Sequence, residues 1–88
     1  MTITRNELLT LAAQDFAYQH YQQVIFMRDN SASYAQAQGF LKGLCTAYRV
    51  EYEILKEPSK QEPSKQEITM FRFSHQGSGR NFLEVKID

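Results

Sequence analysis

The sequence predicts an α+β fold, in which two N-terminal helices pack on one face of a three-stranded antiparallel β-meander (α-α-β-β-β). Apolar residues recur at three- and four-residue spacing up to about residue 49, and from Val50 onward the period switches to two. Helical and strand patterns are therefore segregated along the chain, which is typical of α+β proteins. The 88 residues predict a single domain spanning 1–88.

The first helix is predicted over about residues 4–28. Thr4 and Glu7 form the Thr-x-x-Glu pattern of a capping box, which satisfies free amide groups at a helix start. The helix should end at the polar run 28–31, whose residue types favour a chain reversal. One apolar stripe predicts its core face: Leu8, Leu9, Ala12, Ala13, Phe16, Val24 and Met27.

The second helix is predicted over about residues 32–49. Ser33 and Gln36 form a weaker capping pattern at its start. Arg49 in the last turn suits the negative end of the helix dipole. Its core face is predicted from one stripe: Tyr34, Ala37, Phe40, Leu41, Leu44, Cys45 and Tyr48.

Three strands are predicted at about 50–56, 67–74 and 81–87, where apolar and polar residues alternate. We expect Tyr52, Phe71 and Leu83 to meet at the centre of the face under the helices, and Glu51 to pair with Arg72 on the other face. The predicted core face holds Val50, Tyr52, Ile54, Thr69, Phe71, Phe73, Leu83, Val85 and Ile87. The predicted outer face holds Leu55, Ile68, Met70 and Phe82 among charged residues.

Two loops connect the strands. Residues 57–66 repeat the pentapeptide Glu-Pro-Ser-Lys-Gln, which predicts an exposed duplicated loop; the alternative is a recognition loop. Residues 74–80 are rich in glycine and predict a flexible hairpin turn with His75 in solvent, or alternatively a small anion-binding nest.

A second apolar stripe on the first helix is the main candidate for a binding surface. Leu11, Tyr18 and Ile25 recur every seven residues and are flanked by Tyr21. A helix packed on a sheet needs one apolar stripe, so the second needs its own cover. Either the second helix covers it within the monomer, or it is a subunit interface, since tyrosine-rich surfaces with few charges are typical of interfaces.

Small residues form a ridge on the second helix. Gly39 and Gly43 lie one turn apart, between Ala35 and Ala47. Each interior glycine costs about 1 kcal/mol of helix stability relative to alanine, which suggests that another backbone approaches closely. The first helix is one candidate for crossing this ridge, and a partner helix or second subunit is the other.

Candidate catalytic residues are few. His20 lies on the core stripe of the first helix, where a hydrogen-bonded core histidine is expected, and no acid is spaced to orient it as a base. Cys45, the single cysteine, lies late in its helix, away from the helix N-terminus that would activate a thiolate. We therefore expect no enzyme activity, and we predict no catalytic residue, no cofactor and no metal ligand.

Composition limits the remaining function classes. Basic and acidic residues number 10 each, so the net charge is zero, which argues against a dedicated nucleic-acid binder. The longest apolar run, 24–27, is far too short to span a membrane, and a cytoplasmic location is the default. We expect a small non-enzymatic interaction or regulatory module that acts as a homodimer or binds a protein partner. The alternative is a winged-helix-like DNA-binding regulator with Lys60 and Lys65 in its wing.

Overall fold

The structure, a computed structural model, describes residues 2–87 and confirms the predicted order of elements. The helices are α1 (Arg5–Val24) and α2 (Ser31–Tyr48). The strands are β1 (Val50–Pro58), β2 (Gln66–His75) and β3 (Asn81–Lys86). The strands form an antiparallel sheet in the order β1-β2-β3, with α1 packed against β2 and β3 and α2 against β1. The α+β meander is therefore confirmed.

The start of α1 is the predicted capping box. The Thr4 hydroxyl accepts a hydrogen bond from the Glu7 amide at 3.1 Å, and the Thr4 amide donates to Glu7 Oε1 at 3.4 Å. The helix ends at Val24, earlier than the predicted residue 28. The C-cap Ile25 is still right-handed, and the chain reverses two residues later, where Met27 adopts a left-handed conformation with φ of 56°. The turn brings α2 back alongside α1.

Asn30 stabilises that turn through its side chain. Its side-chain amide donates to the backbone oxygen of Gln19 at 3.0 Å and to the Gln19 side chain at 2.8 Å. Asn30 is also the N-cap of α2, but it makes no side-chain cap, so the capping pattern predicted at Ser33 and Gln36 is wrong. At the other end α2 stops at Tyr48, and Arg49 closes the helix in the left-handed region as its C-cap.

The core lies between the helices and the sheet, with Phe16 at its centre. Three predicted core residues are instead on the surface: Met27 is in the turn after α1, and Phe40 and Tyr48 are exposed on α2. For α2 the core stripe is narrower than predicted, because one sheet and one neighbouring helix cover a limited arc of it. The buried cluster contains Leu9, Ala12, Ala13, Phe16, Ala17, Ala37, Leu41, Cys45, Val50, Ile68, Phe71, Phe73 and Val85.

Two β-bulges change which side chains face the helices. The register of β1 and β2 shifts between Leu55, which pairs with Met70, and Lys56, which pairs with Ile68. Thr69 is left without a partner on β1, and the side chain of Ile68 faces the core. The register of β2 and β3 shifts at Phe73 and skips Phe82, whose ring then lies beneath the Arg5 guanidinium of α1, 4.3 Å away. The prediction that both residues lie on the outer face is therefore wrong.

The cross-strand partners also differ from the prediction. Tyr52 and Leu83 flank Phe73 rather than Phe71, whose own neighbours are Ile54 and Val85. On the outer face Arg72 bridges the two adjacent strands instead of meeting Glu51. Its guanidinium lies 3.2 Å from a carboxylate oxygen of Glu53 on β1 and 3.2 Å from one of Glu84 on β3.

The duplicated loop is shorter and more structured than predicted. Pro58 ends β1 and has no amide N–H to donate, which is tolerated because β1 is an edge strand. Ser59, expected in an exposed loop, is buried, and its hydroxyl accepts hydrogen bonds from the amides of Gln61 at 3.2 Å and Glu62 at 3.3 Å. Most of the other loop residues are exposed.

Candidate interaction surface

The outward side of α1 carries two large exposed side chains. Leu11 is 54% exposed and Tyr18 is 58% exposed, and both lie opposite the buried residues of the helix. The prediction that α2 covers them within the monomer is wrong. Asp15 is the one charged residue between them in the sequence. We call Leu11, Gln14, Tyr18 and Tyr21 the α1 surface.

The α1 surface continues into a groove of about 630 Å³. Tyr18 and Tyr21 line it from the helix, and Lys86 and Ile87 line it from the end of the sheet. Gln22 also contributes to it, and its side-chain oxygen is buried without a hydrogen-bond partner among the described residues. Tyr18 and Tyr21, both predicted interface residues, therefore share one concave surface.

Ile25 does not belong to this surface. It is 8% exposed and caps the C-terminus of α1. Seven-residue spacing aligns side chains on one face of a continuous helix, but α1 ends at Val24 and the chain turns Ile25 inward. The heptad stripe predicted through Leu11, Tyr18 and Ile25 is therefore wrong at its third member.

Gly39 and Gly43 are exposed on α2. A Cβ added at either glycine would meet nothing within 4 Å, apart from the helix's own nearby backbone and its chain neighbours. The prediction that α1 crosses this ridge is wrong, because α2 turns Ala37, Leu41 and Cys45 inward instead. The alternative, a partner docked on the ridge, stays a prediction.

Sequence reasoning missed a further exposed apolar group at the turn after α1. Phe26 and Met27 are both exposed, and the Phe26 ring meets the Tyr21 ring edge-on, with centroids 5.1 Å apart. The polar run that follows predicts the end of the helix, so the sequence pattern places these two residues within it. An earlier break at Val24 has no strong sequence signal, since no glycine or proline marks it.

His20 is buried as predicted, but the structure does not give its Nδ1 the predicted hydrogen bond. Its Nδ1 has no hydrogen-bond partner among residues 2–87, and its ring lies 6.3 Å from that of Tyr34. Burial, with a smaller contribution from the positive charge of Lys56, lowers the pKa of His20 from its ordinary value of 6.5. A neutral imidazole in this position packs in the core, and no carboxylate between residues 2 and 87 bonds to its Nδ1.

Cys45 is buried and His75 is half-buried in the structure. Cys45 is buried, and desolvation raises the pKa of its thiol from 9.0 to about 11, which suppresses the nucleophilic thiolate. His75, predicted to lie in solvent, is half-buried and stacks on Phe82 with ring centroids 4.4 Å apart. Within residues 2–87, no three side chains of His, Cys, Asp or Glu come together as a metal site would require.

None of the helices found between residues 2 and 87 combines the length and apolarity that crossing a membrane requires. Comparison with known proteins gave no match: no family model, no curated protein and no solved structure is significantly similar to this chain.

Proposed function

We propose that this protein is a non-enzymatic interaction module that acts as a homodimer, with the α1 surface as part of its subunit interface. The observation that carries the proposal is the exposure of Leu11 and Tyr18 on one face, next to the groove that Tyr18 shares with Tyr21. Keeping large apolar side chains in water costs about 1.5–3 kcal/mol for each one that could otherwise be buried. Large apolar and aromatic side chains exposed beside a groove are typical of binding sites.

The chemistry of the surface favours a protein partner. Tyrosine is enriched at interface centres and charge is depleted there. The α1 surface contains two tyrosines, a leucine and a glutamine, with Asp15 as the one charge between Leu11 and Tyr18. The adjoining groove adds one cation, Lys86, and one carboxylate, Glu67, rather than a cluster of either.

The charge balance of the chain does not oppose a second copy as the partner. Basic and acidic residues number 10 each, so two copies have no net charge to hold them apart. A two-fold interface also places the same surface on both sides, so the uncharged residues of one α1 surface meet those of the other.

The enzyme and DNA-binding alternatives gain no support from the surface chemistry. The pKa of Cys45 is raised, and His20 has no orienting acid, so neither is prepared for catalysis. The exposed side of α2, which would read bases in a winged-helix protein, carries Lys42 as its one basic residue, and Arg49 follows at the C-cap. Absence of specific DNA binding stays a prediction, as does the cytoplasmic location.

Replacing Tyr18 by glutamate tests the proposal. Tyr18→Glu puts a charge into the interface, so it should shift a dimer toward monomer in sedimentation velocity while the circular dichroism spectrum is unchanged. Tyr48→Glu is the matched control, because Tyr48 is an exposed tyrosine on α2, outside the α1 surface. Equal dissociation by both variants, or by neither, would contradict the assignment of the interface to α1.

A further inference from the structure

β3 is an open edge of the sheet. It pairs with β2 on one side, and within residues 2–87 no strand lies on its other side. Free amide and carbonyl groups along such an edge can pair with another strand. β3 contains neither proline nor glycine, whereas β1, the opposite edge, ends in Pro58. Two-fold pairing of β1 centred on Tyr52 would also put Glu51 opposite Glu53 of the second copy, which like charges disfavour.

The backbone directions along β3 determine which groups are free. The Ile87 amide donates to the Thr69 oxygen at 2.9 Å, so it faces β2. Backbone groups alternate sides along a strand, so those of Val85 also face β2, while those of Glu84 and Lys86 face the open edge. A second strand would therefore bond to Glu84 and Lys86.

Charge selects one two-fold register for that pairing. Centred on Val85, antiparallel pairing of two β3 strands puts Glu84 of each copy opposite Lys86 of the other and Leu83 opposite Ile87. The two neighbouring registers that also pair the edge-facing backbone groups of both strands are centred on Glu84 or on Lys86. They place glutamate against glutamate or lysine against lysine, which is destabilising.

The open edge adjoins the α1 surface. Tyr18 and Tyr21 line the groove together with Lys86 and Ile87, so a strand added to β3 would lie beside them. The other flank of α1 is occupied, because Gln19 there receives the side-chain amide of Asn30 at the start of α2. Pairing at β3 therefore turns the tyrosine side of one α1 toward the same side of the second copy.

We infer that two copies pair antiparallel through β3, centred on Val85, to form one continuous six-stranded sheet in which the Tyr21 sides of the two α1 helices face each other across the two-fold axis. The inference rests on the proposed homodimer and identifies the strand and register that make it. In this register Leu83 and Ile87, both half-buried in the monomer, lie opposite each other.

Complementary charge reversals test the register. Glu84→Lys puts two lysines on each β3, and Lys86→Glu puts two glutamates there, so each variant alone opposes like charges across the axis. Each should raise the dimer dissociation constant by about tenfold or more. An equimolar mixture of the two variants opposes lysine with glutamate at all of these positions. It should form a heterodimer with an affinity near that of the wild type, measured by sedimentation equilibrium.

Lys60→Glu and Glu62→Lys control for net charge, since they make the same changes in an exposed loop. This pair should dimerise like the wild type both alone and mixed. A wild-type dimer that is unaffected by Glu84→Lys and Lys86→Glu would overturn the β3 inference and leave the homodimer standing. A wild type that is monomeric at every concentration would overturn both. Circular dichroism and urea denaturation of each variant establish that the monomer is folded.

Discussion

Phe16 of α1 and Phe71 of β2 meet edge to face, with ring centroids 6.1 Å apart and ring planes at 90°. Phe16 also lies 5.3 Å from the ring of Tyr34 on α2, so one side chain joins both helices to the central strand. Phe71 is fully buried between Ile54 and Val85 on the neighbouring strands. Packing of the monomer is therefore concentrated around this aromatic pair.

Removing the Phe71 ring should be severely destabilising. Phe71→Ala leaves a cavity in the core and should lower the free energy of unfolding by about 3–5 kcal/mol, as measured by urea denaturation. Phe40→Ala is the matched control, because Phe40 is 46% exposed on α2, and its loss should be much smaller. Similar losses for the two variants would mean that the strand faces are assigned incorrectly.

The two identical pentapeptides should respond differently to the same substitution. Ser59 is 2% exposed and holds the amides of Gln61 and Glu62, whereas Ser64, its equivalent in the second copy, is exposed. Ser59→Ala should cost about 1 kcal/mol of stability. Ser64→Ala should stay within about 0.5 kcal/mol of the wild type in the same denaturation assay. Equal effects would show that Ser59 does not organise the loop.

Stability should fall in mild acid because of His20. Burial lowers the pKa of His20, so the unfolded chain binds a proton more readily than the folded one. The stability that neutral His20 contributes is therefore fully present at a pH above 6.5, the ordinary pKa of histidine. It is lost as the pH falls from there toward the lowered pKa of His20 in the folded protein. The urea midpoint of the wild type should drop between about pH 7.5 and about pH 5, and His20→Gln should reduce that drop.

His75→Gln is the control substitution, because it removes the other histidine, which is half-buried at the end of β2. If His20→Gln reduces the drop in midpoint no more than His75→Gln does, the account of His20 is wrong.

Cys45 should be protected from thiol reagents in the folded protein. The rise of its pKa from 9.0 to about 11 alone reduces the thiolate about 100-fold, and burial removes access to the sulfur. Iodoacetamide should label Cys45 more than about 100-fold more slowly in buffer than in denaturant, as followed by mass spectrometry. Rapid labelling of the native protein would reopen the question of a reactive thiol.

The sequence was sufficient to predict the helices and strands and, for most of them, which face is buried. Side-chain period distinguishes helices from strands, and the Thr4–Glu7 capping pattern located the start of α1. It was not sufficient where one extra residue in a strand shifts the alternation of buried and exposed side chains. A bulge adds a residue without any signal in residue type, and two bulges turned Ile68 and Phe82 toward the helices.

The candidate site was predicted in part for a related reason. Tyr18 and Leu11 were placed on an outward face because they follow the helical period, and the structure exposes both. Ile25 follows the same period, but the helix ends before it. Whether α1 crosses Gly39 and Gly43 depends on the rotation of α2 about its axis, which long-range packing determines. Local sequence carries little information about that rotation.

Native mass across a dilution series is the most direct test of the proposed homodimer. Light scattering should give twice the 10.3 kDa mass of one chain at high concentration and 10.3 kDa after sufficient dilution. Tyr18→Glu should stay at the lower mass over the same range. A wild-type mass of 10.3 kDa at every concentration up to about 1 mM would contradict the account, because an interface weaker than that is too weak to act as a dimer.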